Sequence, residues 1–425
     1  MDVKNQLTLR RWRADWWRWD GRRYVCASNE ELTSDLIRWL ERGTVGIRCG
    51  IVSNIIQCLI ARTIVVDTIE QPKWIDDSMH KGRKNCIAVA NGILNLNDQV
   101  LTEHDPRWFS TTVLPYDFNP SATCPRWEEF LIEMLPESDM RAMLQEWFGL
   151  CSVIDTTFHK FMLLVGDGAN GKTIVLTVLR QLLGCDNVSH VGLEGFNSER
   201  TFALAATVGK LANIIPELGE LTRTNEGVLK SFVAGEPMSI ERKHRDPFVT
   251  VPSARLIIAT NILPRFVDRS DGLWRRLLLV PFRVQILDES RQDKRLVDPQ
   301  WWQESGELPG ILNWAIAGLK RLREQGRFTE PQTSKTEKDQ YRRDANPAGT
   351  FLEERCLAEA GSELPAPRLY FAYQNYVRDA GQHPLGAPQF AKEVRRAFPS
   401  VELTPNPVWI DDVKARAWIG LKLNS

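Results

Sequence analysis

The sequence predicts an α/β fold in which a parallel sheet is covered by helices, with an α+β segment before it and a small helical domain after it. Three observations carry this. Residues 150–290 alternate short apolar runs with helical patterns, as strands and crossover helices do. One of those runs, FMLLV at 161–165, leads directly into GDGANGKT at 166–173 and then into an amphipathic stretch. The length, 425 residues, suits two or three domains.

Each segment in order supports that reading. LRRWRADWWRWDGRR, at residues 9–23, sets four tryptophans among six arginines. Spacing puts Trp12, Trp16 and Trp19 on one helical face, which predicts a packed docking surface. The alternative is a single-strand-binding segment that stacks bases on aromatics. Residues 30–62 predict helices through spacing such as Leu32, Leu36 and Leu40. Residues 86–119 predict strands, with a turn at Asn91-Gly92. Residues 126–149 predict further helix interrupted at Pro136, and a domain boundary falls near 150. The expected domains are therefore 1–150, 151–325, a polar linker at 326–349, and 350–425.

Composition narrows the function classes. Lys+Arg and Asp+Glu are equal at 54 each, so any nucleic-acid contact must come from local clusters of basic residues. The eight cysteines include no C-x-x-C pair and no histidine at ligand spacing, which argues against a zinc site. A polar start and the absence of a long apolar run predict a cytoplasmic location.

The run at 166–173 fits G-x-x-x-x-G-K-[ST]. Gly166, Asp167, Gly168, Ala169, Asn170 and Gly171 would turn backbone amides toward phosphate oxygens. Lys172 would reach the terminal phosphates of ATP, and Thr173 would offer its hydroxyl to Mg2+. The following helix shows an apolar face of Ile174, Val175, Val178, Leu179, Leu182 and Leu183, and stops at Gly184. KLANII at 210–215 is a candidate strand ending near Glu217, with Glu220 close by. Either carboxylate suits magnesium binding or water activation. RLIIAT at 255–260 ends in Asn261, which fits either a water-orienting amide or a turn former. Arg275-Arg276 follows, fitting either a transition-state finger or a surface ion pair.

GDGANGKT, GKLANIIPELGE, LKSFVAGEPMSIERKHRDPF, ATNILP and GLWRRLLLVPF, in this order, resemble superfamily three helicases within the AAA+ ATPases. The nearest likeness is to the phage and plasmid primase-helicases, which include the poxvirus primase-helicase. It covers roughly residues 85–425, including NGILNL at 91–96. The resemblance implies that Lys172, Glu217, Asn261 and Arg275 or Arg276 are catalytic, with Thr173 and Glu217 on magnesium. It implies a homo-hexameric ring on single-stranded and forked DNA, moving 3′ to 5′; the sequence shows neither an acidic polymerising site nor a zinc module, so priming is expected of a separate protein. Two features depart from the pattern: Asn213 inside the second strand, and Pro216 before Glu217.

Arg242, Lys243 and His244 lie in a basic stretch that resembles the family's DNA-gripping hairpin. Residues 369–381 and 388–398 predict two helices resembling a helix-turn-helix, with VWI and RAWIGL as strands of a winged helix. Lys392, Arg395 and Arg396 would be its DNA-facing residues; the alternative is a winged helix that binds protein. The expected function is a replicative helicase of a mobile element. The alternatives are an ATP-regulated initiator or loader, and a remodeller of protein.

Overall fold

The computed structural model describes residues 2–3, 6–43, 48–75, 85–197, 201–218, 225–242, 245–264, 266, 271–288, 290, 292–410 and 413–424. They form two compact units, Met1–Pro264 with Asp271–Lys335, and Arg265–Ser270 with Thr336–Ser425.

After a short antiparallel pair, Asp2–Val3 with Gln6–Leu7, the first unit forms a three-stranded antiparallel sheet of β1 (Leu9–Trp12), β2 (Asp15–Trp19) and β3 (Tyr24–Ala27). The tryptophan segment is thus strand, which corrects the helical expectation. The spacing from Trp12 to Trp16 is not a helical turn, because it crosses a two-residue hairpin. Arg13 and Ala14 both have positive φ, 52° and 59°, the backbone of a type I′ turn that matches strand twist. Alternation then places Leu9 and Trp16 on one face, packed with Leu32, and Trp12 on the other, packed with Val65, Ile75 and Phe109. Trp12 and Trp16 are buried, so neither is available to stack a base.

Helix α1 (Asn29–Glu41) starts at a capping box. Glu31 N donates to Ser28 Oγ at 3.0 Å, and Ser28 N donates to the Glu31 carboxylate at 2.9 Å. Helix α2 (Cys49–Thr63) and a meander of β4 (Cys86–Val89), β5 (Gly92–Asn95) and β6 (Leu101–Thr102) follow. The β4–β5 turn lies at Ala90-Asn91, one residue before the expected site.

Pro136 separates α3 (Pro125–Met134) from α4 (Ser138–Cys151), as expected. Beyond them lies a five-stranded, all-parallel sheet. Its strands are β7 (Phe161–Val165), β8 (Val188–Ser189), β9 (Ala212–Ile215), β12 (Arg255–Thr260) and β13 (Leu277–Pro281), in the order β8-β9-β12-β7-β13. Helix α5 (Lys172–Leu183) buries Val175, Val178, Leu179, Leu182 and Leu183. Helix α6 (Glu226–Ala234) precedes a separate hairpin of β10 (Met238–Arg242) and β11 (Arg245–Thr250). The short α7 (Asp271–Trp274) precedes β13, and α8 (Pro299–Glu304) and α9 (Leu308–Gln325) close the unit.

Residue 150 is not a break between cores. One apolar cluster runs from Ile87 to Phe328 and includes residues of α3, α4, α5, α9 and the parallel sheet. Helices α4 and α9 meet backbone to backbone. A Cβ at Gly149 would lie 2.3 Å from the Ala315 carbonyl oxygen, and one at Gly318 would lie 2.4 Å from that of Gln145. Buried Glu146 of α4 accepts from Arg321 Nε at 2.7 Å and from Thr329 N at 2.8 Å. Helices α3, α4, α8 and α9 pack around Trp127, Phe148, Trp302 and Trp314. No helix among the described residues is long and apolar enough to cross a membrane.

The expected linker is largely helix. α10 (Gln332–Ala345) spans the boundary at Lys335, and its first turn is tied to β13 by the bond from Ser334 Oγ to the Leu279 carbonyl, 2.6 Å. Polarity alone did not distinguish a solvated helix from a linker.

The second unit continues with α11 (Pro347–Arg355), β14 (Cys356–Pro365), α12 (Ala366–Asp379), α13 (Ala387–Ala397), β15 (Glu402–Leu403), β16 (Val408–Ile410), β17 (Val413–Ala415) and β18 (Ala417–Leu423). Its sheet has the order β14-β18-β15, while β16 and β17 form their own hairpin. Tyr373 and Phe390 stack at 4.2 Å between α12 and α13. Two tyrosine hydroxyls fix the turn that joins them. Tyr370 donates to the Leu385 carbonyl at 2.8 Å, and Tyr373 accepts from Leu385 N at 2.9 Å.

Candidate functional site

Register explains why distant sequence segments converge. Val165 lies beside Thr260, and Ile215 beside Ile258. Counting two residues beyond Ile215 puts Glu217 level with Thr260, at the same carboxyl end as the start of the glycine-rich loop. That end of an open α/β sheet is where ligands bind.

The loop conformation depends on its residue types. Gly168, Ala169 and Gly171 have φ of 97°, 48° and 83°. A Cβ at Gly166 would lie 2.4 Å from the Phe282 carbonyl oxygen. Asn170 Nδ2 donates to that same oxygen at 3.2 Å, and Ile286 N donates to the Ala169 carbonyl at 3.0 Å, tying the loop to the chain after β13. Lys172 is buried, and its ammonium donates to the Gly166 carbonyl at 2.5 Å, Asn170 Oδ1 at 2.9 Å and Asn261 Oδ1 at 3.1 Å. These three acceptors are neutral. Burial pushes the Lys172 ammonium below its usual range, an effect that Asp167 opposes.

A cavity of about 610 Å³ opens here, within the size range of small-ligand sites. Gly168 to Thr173, Glu217 and Asn261 line it. Thr173, Glu217 and Asn261 are exposed to it. The site thus brings together the predicted lysine, threonine, carboxylate and amide. Glu220 lies outside the described residues. Asn213, the unusual polar residue of β9, has a structural role. Its Oδ1 accepts from Ser189 Oγ at 2.9 Å and Val191 N at 2.8 Å, and its Nδ2 donates to the Val191 carbonyl at 2.8 Å. It extends the pairing of the edge strand β8 and does not face the cavity wall.

Sequence reasoning missed the opposite wall. Arg126, Phe130 and Met134 of α3 line the cavity, as do Ile286, Gln292 and Val297. Phe130 also lies against the loop, 2.8 Å from where a Gly171 Cβ would sit. The signal available was weak: an apolar helical face some forty residues before the loop.

Arg275 and Arg276 lie at the other end of the sheet. Leu277 pairs with Phe161 and Pro281 with Val165, so the two arginines precede the strand end opposite the glycine-rich loop. Four residues of strand are about 13 Å long. Arg275 is exposed. Arg276 is buried, and its guanidinium donates to the Gly272 carbonyl at 2.6 Å. Burial, then the neighbouring Arg275, lower the Arg276 pKa, and Glu236 opposes this.

The basic hairpin is present as β10–β11, but Lys243 and His244 lie outside the described residues. Arg242 turns inward, to an ion pair with Asp15 and a 3.0 Å bond to the Arg13 carbonyl. The expectation that its guanidinium is open to DNA is therefore corrected. In the second unit, Lys392, Arg395 and Arg396 are exposed on α13, and the Arg395 guanidinium lies 5.6 Å from the Trp418 ring centre.

Comparison with known proteins finds two family matches. Residues 10–136 match the D5 N terminal-like family, and residues 164–276 match a family of unknown function, DUF5906. The chain is 25% identical over 196 residues to a protein of Acanthamoeba polyphaga mimivirus named "Putative helicase L207/L206". The match takes in 44% of this chain and 20% of that protein's length. Among solved structures, the apo C-terminal region of NrS-1 (A form) aligns with a TM-score of 0.53 at 12% identity, covering 97% of each chain. A second apo structure of that region, residues 305–718, gives 0.53 at 11% identity over 98% of this chain and 95% of the other. These likenesses extend the α/β architecture over almost the whole length. At 11–12% identity the likeness to the solved structures is one of fold.

Proposed function

We propose that this chain is an ATP-dependent replicative DNA helicase of a virus, phage or plasmid, built on a superfamily three AAA+ core. The observation that carries the reading is the charge state around Lys172. A buried ammonium whose hydrogen bonds go to neutral oxygens lies beside a cavity of about 610 Å³ at the carboxyl end of the sheet. A triphosphate is the ligand that such a site favours. The loop amides and the α5 amino end add to the attraction.

In this reading Lys172 leaves Asn261 for the β- and γ-phosphates. The freed Asn261 amide then orients the attacking water, and Glu217 activates it. Thr173 and Glu217 would hold Mg2+, which neutralises charge between the phosphates when bound. Arg275, exposed and at the far end of the sheet, suits a finger serving the site of a neighbouring subunit in a homo-hexamer. Arg276 is engaged within its own chain. The hairpin tip, including Lys243 and His244, would grip single-stranded DNA and carry it 3′ to 5′. The second unit, with α11, α12, α13 and a β14-β18-β15 sheet, suits a winged helix presenting Lys392, Arg395 and Arg396 to DNA. The exposed basic residues of α13 also favour a second reading, an ATP-regulated initiator that recognises duplex DNA without processive unwinding.

Strand displacement separates the two. With Mg2+ and ATP the helicase reading expects release of the labelled strand from a forked duplex with a 3′ single-stranded arm, and none by Lys172→Ala. Tight duplex binding with no displacement from either fork polarity would favour the initiator.

A further inference from the structure

The arginine- and tryptophan-rich β1–β2 turn is joined to both ends of the β10–β11 hairpin, far from it in sequence. Asp15 pairs with Arg242, and both side chains are largely buried, at 12% and 22% exposure. The Arg13 carbonyl takes a second Arg242 donor at 3.0 Å. From the same turn, the Arg13 guanidinium donates to Thr250 Oγ1 at 2.8 Å, at the other end of the hairpin, and pairs with Glu70. Phe248 receives both guanidiniums on its ring, Arg242 at 4.4 Å and Arg13 at 5.3 Å from the centre. A register shift between Ile240 and Arg242 aims Arg242 at the turn.

A two-stranded hairpin is marginal by itself and takes its direction from what packs on it. Among the described residues this one pairs with no strand of the parallel sheet, and the turn grips it at both ends. We propose that Asp15 and Arg13 are positioning residues: the β1–β2 turn clamps the β10–β11 hairpin at both ends, Arg242 beside the tip and Thr250 at the base, and so fixes where the hairpin meets single-stranded DNA. The clamp is independent of the helicase reading, and the DNA consequence rests on it. Arg242 belongs to the clamp, since Asp15 compensates its charge.

The test uses the full chain carrying Asp15→Asn, with Asp15→Glu as the conservative variant. Three quantities are read: amide hydrogen exchange of peptides spanning 238–250, ATP turnover without DNA, and the concentration of a thirty-nucleotide oligothymidylate that half-stimulates turnover. Asp15→Asn should speed hairpin exchange about tenfold, the size expected when a charged hydrogen bond is weakened. The half-stimulating DNA concentration should rise by a similar factor, with DNA-free turnover unchanged, and Asp15→Glu should restore most of both. Unchanged exchange in Asp15→Asn overturns the clamp. Faster exchange with an unchanged DNA requirement overturns the hairpin's role on DNA, and with it the positioning role. Should Asp15→Asn fail to fold, Arg242→Lys, which keeps the charge but loses the two-pronged grip, carries the same readouts.

Discussion

Lys172 and Arg242 are both cations that sequence alone assigns to a negatively charged ligand, and both are bonded within the protein. Their partners differ. Lys172 is held by two amide oxygens and a carbonyl, so its charge is solvated but not cancelled. Arg242 is paired with a carboxylate, so its charge is cancelled. A neutral cage can hand its cation to a phosphate at little electrostatic cost, whereas a carboxylate pair must first be broken. The difference separates a cation poised to bind from one that builds structure, a distinction that motif reading does not make.

Breaking the first arrangement should have the largest effect. Lys172→Ala is expected to reduce ATP turnover to background, at least about a thousandfold, with its thermal unfolding midpoint little changed. The arginine pair offers the same contrast. Arg275→Ala should cost about a thousandfold in turnover, and mixing with Lys172→Ala subunits should restore part of it. Arg276→Ala should instead cost about 1–3 kcal/mol of stability, measured by urea unfolding, because a buried donor is lost from its own chain. Among neutral groups, Asn213→Leu should destabilise by about 1–3 kcal/mol by leaving Val191 N unsatisfied, with turnover retained in the folded fraction.

A smaller effect concerns pH. Burial lowers the Lys172 pKa, and only its protonated form attracts phosphate. ATP affinity should therefore fall as pH rises through that lowered value, below the ordinary lysine 10.5. Equilibrium titration with a fluorescent ATP analogue from neutral to alkaline pH checks the sign, and a flat profile contradicts it.

The glycine-rich loop was legible because its eight residues are contiguous and each restricts the backbone or supplies a donor. The strands leading to Glu217 and Asn261 were legible as short, largely apolar runs. The N-terminal sheet was not. Trp12, Trp16 and Trp19 satisfy helical spacing by accident, and the I′ turn at Arg13-Ala14 lacks the usual Asn or Gly. Helix α10 was hidden by its polarity. The cavity wall from α3 depends on close packing across more than a hundred residues of chain, such as Trp127 against Trp302 and Trp314, which no local pattern encodes. The Asp15–Arg242 pair, 227 residues apart, is of the same kind.

The most direct test of the central claim is steady-state ATP hydrolysis by the full chain with and without single-stranded DNA, in Mg2+. Turnover that rises several-fold with oligothymidylate and vanishes in Lys172→Ala is the predicted result. Turnover indifferent to DNA, or surviving in Lys172→Ala, would contradict the account.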